Sequence, residues 1–228
     1  MSRYIILSEK PWHLENFASL KNRFPDHDWI LVNDKDEFIL ERLEKLNPVK
    51  IFIPHWSHII PSEIFTNFEC IVFHMTDLPF GRGGSPLQNL IVRGKKKTKI
   101  SALKVEEGLD SGPIYLKKSL DLFGTAKEIF LRSAGIIEEM ISEIIIDDLK
   151  PFAQEGEVVK FKRRKPGDGN IAGLDSIEKV YDFIRMLDCE GYPRSFLEND
   201  HFKFEFSRAS LESREEIVAT VRIKKKNQ

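Results

Sequence analysis

Cysteine is scarce: Cys70 and Cys189 are the only two among 228 residues. Neither belongs to a Cys-x-x-Cys pair or a His/Cys cluster, which excludes a disulfide scaffold and a zinc knuckle and leaves two buried free thiols as the expectation. Net charge is equally scarce, since 35 Lys and Arg against 36 Asp and Glu leave −1. Nothing global therefore asks for a polyanionic partner, and no nucleic acid is expected. No run of 18 apolar residues exists, and Arg3, Glu9, Lys10 and Glu15 interrupt the first turns of chain. That excludes a membrane span and a signal peptide, so no membrane partner and a cytoplasmic location are expected. The turn after the first apolar segment, Ser8-Glu9-Lys10-Pro11, holds no glycine. The dinucleotide fingerprint is absent, which argues against NAD or FAD. His55, His58, His74, Asp77 and Asp110 lack a standard ligand spacing, and no metal is expected.

What is present is alternation. Apolar runs at Tyr4–Leu7, Trp29–Val32, Ile51–Ile53 and Cys70–Phe73 read as short buried strands, separated by segments with helical spacing such as Leu14, Phe17, Ala18 and Leu20. Strands alternating with helices predict an α/β fold with a mostly parallel, helix-covered sheet. Ile137, Met140, Ile141, Ile144 and Ile145 mark a long helix that ends at Lys150-Pro151. Beyond it the pattern changes to a basic run, a Pro-Gly-Asp-Gly turn, one helix, and two alternating segments, Phe202–Phe206 and Ile217–Ile223. The expected organisation is a catalytic domain over 1–154 and a small C-terminal α+β region over 155–228 that contributes to the substrate site.

The stretch from Cys70 to Asp110 carries the chemistry. His74 ends a strand just before a loop rich in proline and glycine, and parallel sheets bind ligands beyond the carboxyl ends of their strands. A lone histidine there reads equally well as a structural hydrogen-bonder and as a catalyst. Asp110, after a later strand, is placed to orient an imidazole and favour its charged form.

The spacing His-x-x-x-Leu-Pro-x-x-Arg-Gly-x-x-Pro, at His74, Leu78, Pro79, Arg82, Gly83 and Pro86, is followed by Gly-Leu-Asp-Ser-Gly-Pro-Ile at 108 to 114. Together these motifs resemble the N10-formyltetrahydrofolate-dependent formyltransferases, and the resemblance extends to Ile51–Ile60 and through the long helix. It implies a Rossmann-like formyltransferase sheet, with N10-formyltetrahydrofolate as the formyl donor. It also implies roles: His74 as the catalytic histidine, Asp110 as its carboxylate partner, Arg82 on the folate side, His58, Ile59 and Ile60 against the pterin, and Glu106, Glu107, Gly108, Leu109 and Asp110 as the other wall. In the reaction so implied, a neutral amine attacks the formyl carbon, and a positioned group must strip its proton and protonate the leaving folate nitrogen. One position departs from the family pattern. Two residues before the histidine, where an asparagine amide steadies the developing oxyanion, this chain has Val72, which cannot donate a hydrogen bond. Gln88, Asn89 and Thr76 are the substitute donors considered, beside His74 itself.

Within the family, Phe161–Gly169 and Tyr192-Pro193 resemble the sugar-nucleotide N-formyltransferases. The expected acceptor is therefore the amine of a UDP- or dTDP-linked 4-amino-4,6-dideoxyhexose, for surface glycan synthesis, with Trp56, Thr76, Lys162, Arg164 and Tyr192 as its contacts. The alternatives are a formyltetrahydrofolate hydrolase and a formyltransferase with another acceptor such as methionyl-tRNA, which would be expected to carry a larger and more basic C-terminal domain. The two alternating C-terminal strands are read as the edge of a homodimer.

Overall fold

The computed structural model of the chain describes residues 1–226. Strands β1 (Arg3–Leu7), β2 (Asp28–Val32), β3 (Lys50–Pro54) and β4 (Cys70–His74) pair in parallel in the spatial order β2-β1-β3-β4. Next to β4 the direction reverses: β6 (Lys97–Lys104) pairs with it antiparallel, His74 opposite Ser101, and β7 (Ile114–Asp121) closes the six-stranded sheet. The parallel part follows from near-continuous apolar strands that bury both faces. Ile5, Leu7, Ile51, Ile53 and Cys70 point into one layer with Val32, Leu43 and Ile64. Tyr4, Phe52 and Phe73 point into the other, where their rings meet at centroid distances of 5.9 and 6.5 Å.

The connecting helices are α1 (Trp12–Arg23), α2 (Leu40–Leu46), α3 (Ser62–Phe65), α4 (Pro86–Val92), α5 (Ala126–Ile146) and α6 (Ile177–Arg185). Two of the helices start on side-chain caps. Thr125 and Glu128 form a reciprocal cap ahead of α5, the Thr125 N–H donating to Glu128 Oε2 at 2.7 Å and the Glu128 N–H to Thr125 Oγ1 at 3.3 Å. Ser176 caps α6 through the Lys179 N–H. Along α1, Asn16, Ser19 and Arg23 reach Ala134 O, Glu138 Oε1 and Ser142 Oγ of α5, a polar ladder with the three- and four-residue spacing of two helices lying side by side.

The chain divides into two compact units. The first takes Met1–Gly83, Thr98–Leu120 and Leu131–Lys160; the second takes Gly84–Lys97, Asp121–Phe130 and Phe161–Gln228. Besides the sheet, the first unit holds β5 (Phe80–Gly83), which pairs with the start of β8 (Val159–Phe161). The second holds α4, α6 and an antiparallel sheet of β9 (Ser195–Glu198), β10 (Phe202–Leu211) and β11 (Ile217–Lys225) in the order β11-β10-β9, so β11 is an edge strand. Arg185 is buried and pins this unit: its guanidinium donates to Leu122 O, Gly124 O and Asp182 Oδ1 at 2.7 to 2.9 Å.

Both cysteines are buried, and burial beside Glu69 pushes the Cys70 thiol up to about 12. Among the described residues, no helix is long and apolar enough to cross a membrane, and no three His, Cys, Asp or Glu side chains converge as a metal site.

Candidate functional site

His74 closes β4 and is 9% exposed. Its Nε2 lies 2.8 Å from Gly81 O. A carbonyl oxygen only accepts, so Nε2 carries the hydrogen. The other ring nitrogen, Nδ1, faces Asp110 Oδ2 at 3.6 Å, and the Gly83 N–H donates to that same oxygen at 2.8 Å. A second proton on the ring would therefore sit against a carboxylate. Sequence spacing brought these two residues together on paper, and the fold does so in space.

Asp110 adopts a left-handed conformation, φ 50°, which aspartate tolerates better than most residues. The turn around it is closely built. A Cβ on Gly112 would lie 1.9 Å from Lys104 O, so only glycine fits, and the Ser111 hydroxyl donates to Glu107 O at 2.9 Å. Arg82 does not reach Asp110 directly. Its Nε and Nη2 donate to Gln154 Oε1 at 3.1 and 2.7 Å, while the Gln154 amide donates to Asp110 O and Gly112 O at 2.9 and 2.7 Å. Sequence reasoning missed Gln154, which stands alone in the loop after α5 and belongs to no motif.

Val72 lies opposite Leu103 and packs against Leu78, Leu103 and Ile114, an apolar setting with no donor of its own. The side chains considered as substitutes are committed elsewhere. Thr76 is fully buried, with its hydroxyl directed at Gly81 O at 3.4 Å. In the second unit, the Gln88 amide donates to Met186 O, and the Asn89 amide donates to Gly84 O, Ser85 O and Lys162 O. Both act there as pins.

Of the residues expected against the pterin, Ile60 is buried in the core, Ile59 is 88% exposed, and His58 Nε2 sits 3.3 Å from Glu9 Oε1. Trp56 packs on the same core cluster, with Phe38 and His58 at its ring edges. Glu106, Glu107, Gly108 and Leu109 are exposed, and Glu106 and Glu107 line a groove of about 570 Å³ with Ser62, Phe65, Thr66, Lys104 and Val105. Lys162, Arg164 and Tyr192 belong to the second unit. Lys162 is exposed, and the Arg164 guanidinium lies over the Phe183 ring at 5.3 Å. Tyr192 stacks on Phe130, and burial pushes its hydroxyl up to about 12.

A second histidine pair was not foreseen. His13 Nε2 and His55 Nδ1 are 2.8 Å apart, and His55 Nε2 lies 3.1 Å from Met75 Sδ, next in sequence to His74. Burial, reinforced by the Lys10 charge, lowers His55 to about 4; burial and then His55 hold His13 well below the usual range. The signal was His55 directly after β3, at the ligand-binding edge of a parallel sheet, with His13 in the first turn of α1, the helix that follows β1.

With the geometry in place, comparison with known proteins gives consistent matches. The family described as "Formyl transferase" matches residues 15–133, and the one described as "Methionyl-tRNA formyltransferase, C-terminal domain" matches residues 166–224. A solved methionyl-tRNA formyltransferase from Clostridium thermocellum is 50% identical, with a TM-score of 0.96, over 99% of this chain and 100% of that one. The methionyl-tRNA formyltransferase of Campylobacter lari is 32% identical over 72% of this chain and 55% of its own length. The chain spans little more than half the length of the curated relatives it matches, 58% and 55% for two of them. A sugar N-formyltransferase from Shewanella sp. is 16% identical with a TM-score of 0.72, a likeness of fold alone.

These matches overturn two expectations: the sugar-nucleotide acceptor with its glycan role, and the exclusion of nucleic acid. The Phe161–Gly169 and Tyr192-Pro193 motifs therefore do not identify a sugar acceptor in this chain. The overall charge also misled, because it averages unlike parts. The second unit's segments hold 19 Lys and Arg against 14 Asp and Glu, net +5, and the rest of the chain holds 16 against 22, net −6.

Proposed function

The chain belongs to the formyl transferase family, and from that premise we propose that it transfers a formyl group from N10-formyltetrahydrofolate to the amine of methionyl-tRNA. The observation that carries the chemistry is the His74–Asp110 pair at the end of β4. The acceptor is proposed from the relatives named above and is favoured by the net positive charge of the second unit, since phosphate contacts from Lys and Arg supply most sequence-independent affinity for RNA.

The turn that carries Asp110 fits a folate, since the exposed Glu106 and Glu107 on it offer carboxylates suited to amino and ring N–H donors. When bound, the donor supplies a formyl group on an amine nitrogen that leaves protonated. His74 and Asp110 would handle that proton. Nε2–H is committed to Gly81 O, so Nδ1 is the ring nitrogen that gains and returns a proton without breaking that bond. Asp110, held by the Gly83 N–H, stabilises the ring while it is charged. Glu106 and Glu107, and Ile60 through its main chain, would orient the donor, and Arg82 would stand on its side of the site.

The test is an acceptor panel with purified protein and formyl donor: methionyl-tRNA, free methionine, and no acceptor. Formyl incorporation into methionyl-tRNA is expected. Formate release at the same rate without any acceptor would indicate a hydrolase and overturn the reading.

A further inference from the structure

We infer that Gln154 is a positioning residue for this reaction, setting Asp110 with one end of its amide and Arg82 with the other; the inference rests on the reading above. The Gln154 side chain is saturated. Two guanidinium N–H groups require an acceptor on one side and two carbonyls require donors on the other, so its orientation is decided by its partners.

The carbonyls it holds are those of Asp110 and Gly112, which bracket the tightest part of the turn. Asp110 there is at φ 50°, and Gly112 admits no side chain. A left-handed aspartate persists only where its surroundings over-determine it. The two N–H···O bonds from Gln154 supply that constraint from the main-chain side, and the Gly83 N–H supplies it from the carboxylate side. Without the first, the Gly83 N–H is the remaining hydrogen bond, among the described residues, that holds the Asp110 carboxylate toward His74. The plainer alternative is that Gln154 only ties down its own loop, which Phe152 already joins to Ile114 through two backbone hydrogen bonds at 2.8 and 2.9 Å.

Two variants separate these readings. Gln154→Glu keeps an acceptor for Arg82 and removes the donor for the two carbonyls; Gln154→Leu removes both. Gln154→Glu is expected to lower kcat about tenfold or more while donor KM stays within about threefold, because a misplacement near 1 Å is enough for such a loss. Gln154→Leu is expected to lower kcat and also raise donor KM through Arg82. In the Asp110→Asn background, Gln154→Glu should cost little further, since both act through one group. A crystal structure of Gln154→Glu should show the Asp110 carboxylate withdrawn from His74. A kcat within about twofold of the parent, or losses that multiply independently of Asp110→Asn, would overturn the inference. An unmoved Asp110 would overturn it whatever reaction the site performs. A displaced Asp110 in a protein that transfers no formyl group would uphold the positioning role and sink the functional reading alone.

Discussion

Asp110 Oδ2 stands 3.6 Å from His74 Nδ1 and accepts the Gly83 N–H at 2.8 Å, so one carboxylate oxygen is shared between the loop backbone and the imidazole. Asp110→Asn preserves the shape and removes the charge. It is expected to reduce kcat on the order of 100- to 1000-fold, the range of a lost proton-handling partner, with little change in thermal stability. Steady-state kinetics beside a melting curve checks both parts.

Val72 invites the opposite experiment. The amides of Gln88 and Asn89 and the Thr76 hydroxyl are all engaged with main-chain carbonyls, so the missing oxyanion donor has no evident replacement among them. Val72→Asn, on the same face of β4 as His74, should raise kcat about tenfold or more. It should also cost about 1 to 3 kcal/mol of stability for an amide placed among Leu78, Leu103 and Ile114. Unchanged turnover in a folded variant would show that oxyanion stabilisation is already adequate.

The buried His13–His55 pair gives a pH dependence. A histidine whose folded value is depressed from 6.5 to about 4 contributes stability that is fully present above 6.5 and lost as pH falls through the folded value. His55 alone should therefore cost up to roughly 3 kcal/mol between pH 7 and pH 4. Geometry also sets the tautomers. Met75 Sδ only accepts, so His55 carries hydrogen on Nε2 and receives the His13 Nε2–H at Nδ1. Glutamine can accept and donate in the same directions without titrating, so urea unfolding of His55→Gln should show a flatter pH profile over this range than the parent.

In the second unit, Arg185→Met should be the most damaging single change. It strands Leu122 O, Gly124 O and the Asp182 carboxylate in a buried setting, for an expected loss of about 3 to 5 kcal/mol. Denaturant midpoints measure it.

The sequence made the sheet legible where strands are buried on both sides. Tyr4–Leu7, Ile51–Ile53 and Cys70–Phe73 lie within β1, β3 and β4. It hid β5, whose Phe-Gly-Arg-Gly reads as loop, and β7, whose Lys117 and Lys118 break the apolar pattern. Those lysines are satisfied by distant acids, Lys117 by Asp77 and Lys118 by Glu139 and Glu143, which no local window displays. The candidate site was half visible for the same reason. His74 and Arg82 sit in one motif and Asp110 in a second, whereas Gln154 and His13 belong to no motif and arrive through tertiary contacts over 44 and 42 residues of chain. The acceptor was misread from the Phe161–Gly169 and Tyr192-Pro193 motifs, and nucleic acid was set aside because the global charge averages a basic unit with an acidic remainder.

The most direct test is single-turnover transfer of labelled formyl from N10-formyltetrahydrofolate to methionyl-tRNA, comparing the parent with His74→Asn. The account predicts formyl-methionyl-tRNA from the parent and a loss of at least about 100-fold in the variant. Equal rates in the two proteins, or label that never reaches the aminoacyl-tRNA, would contradict it.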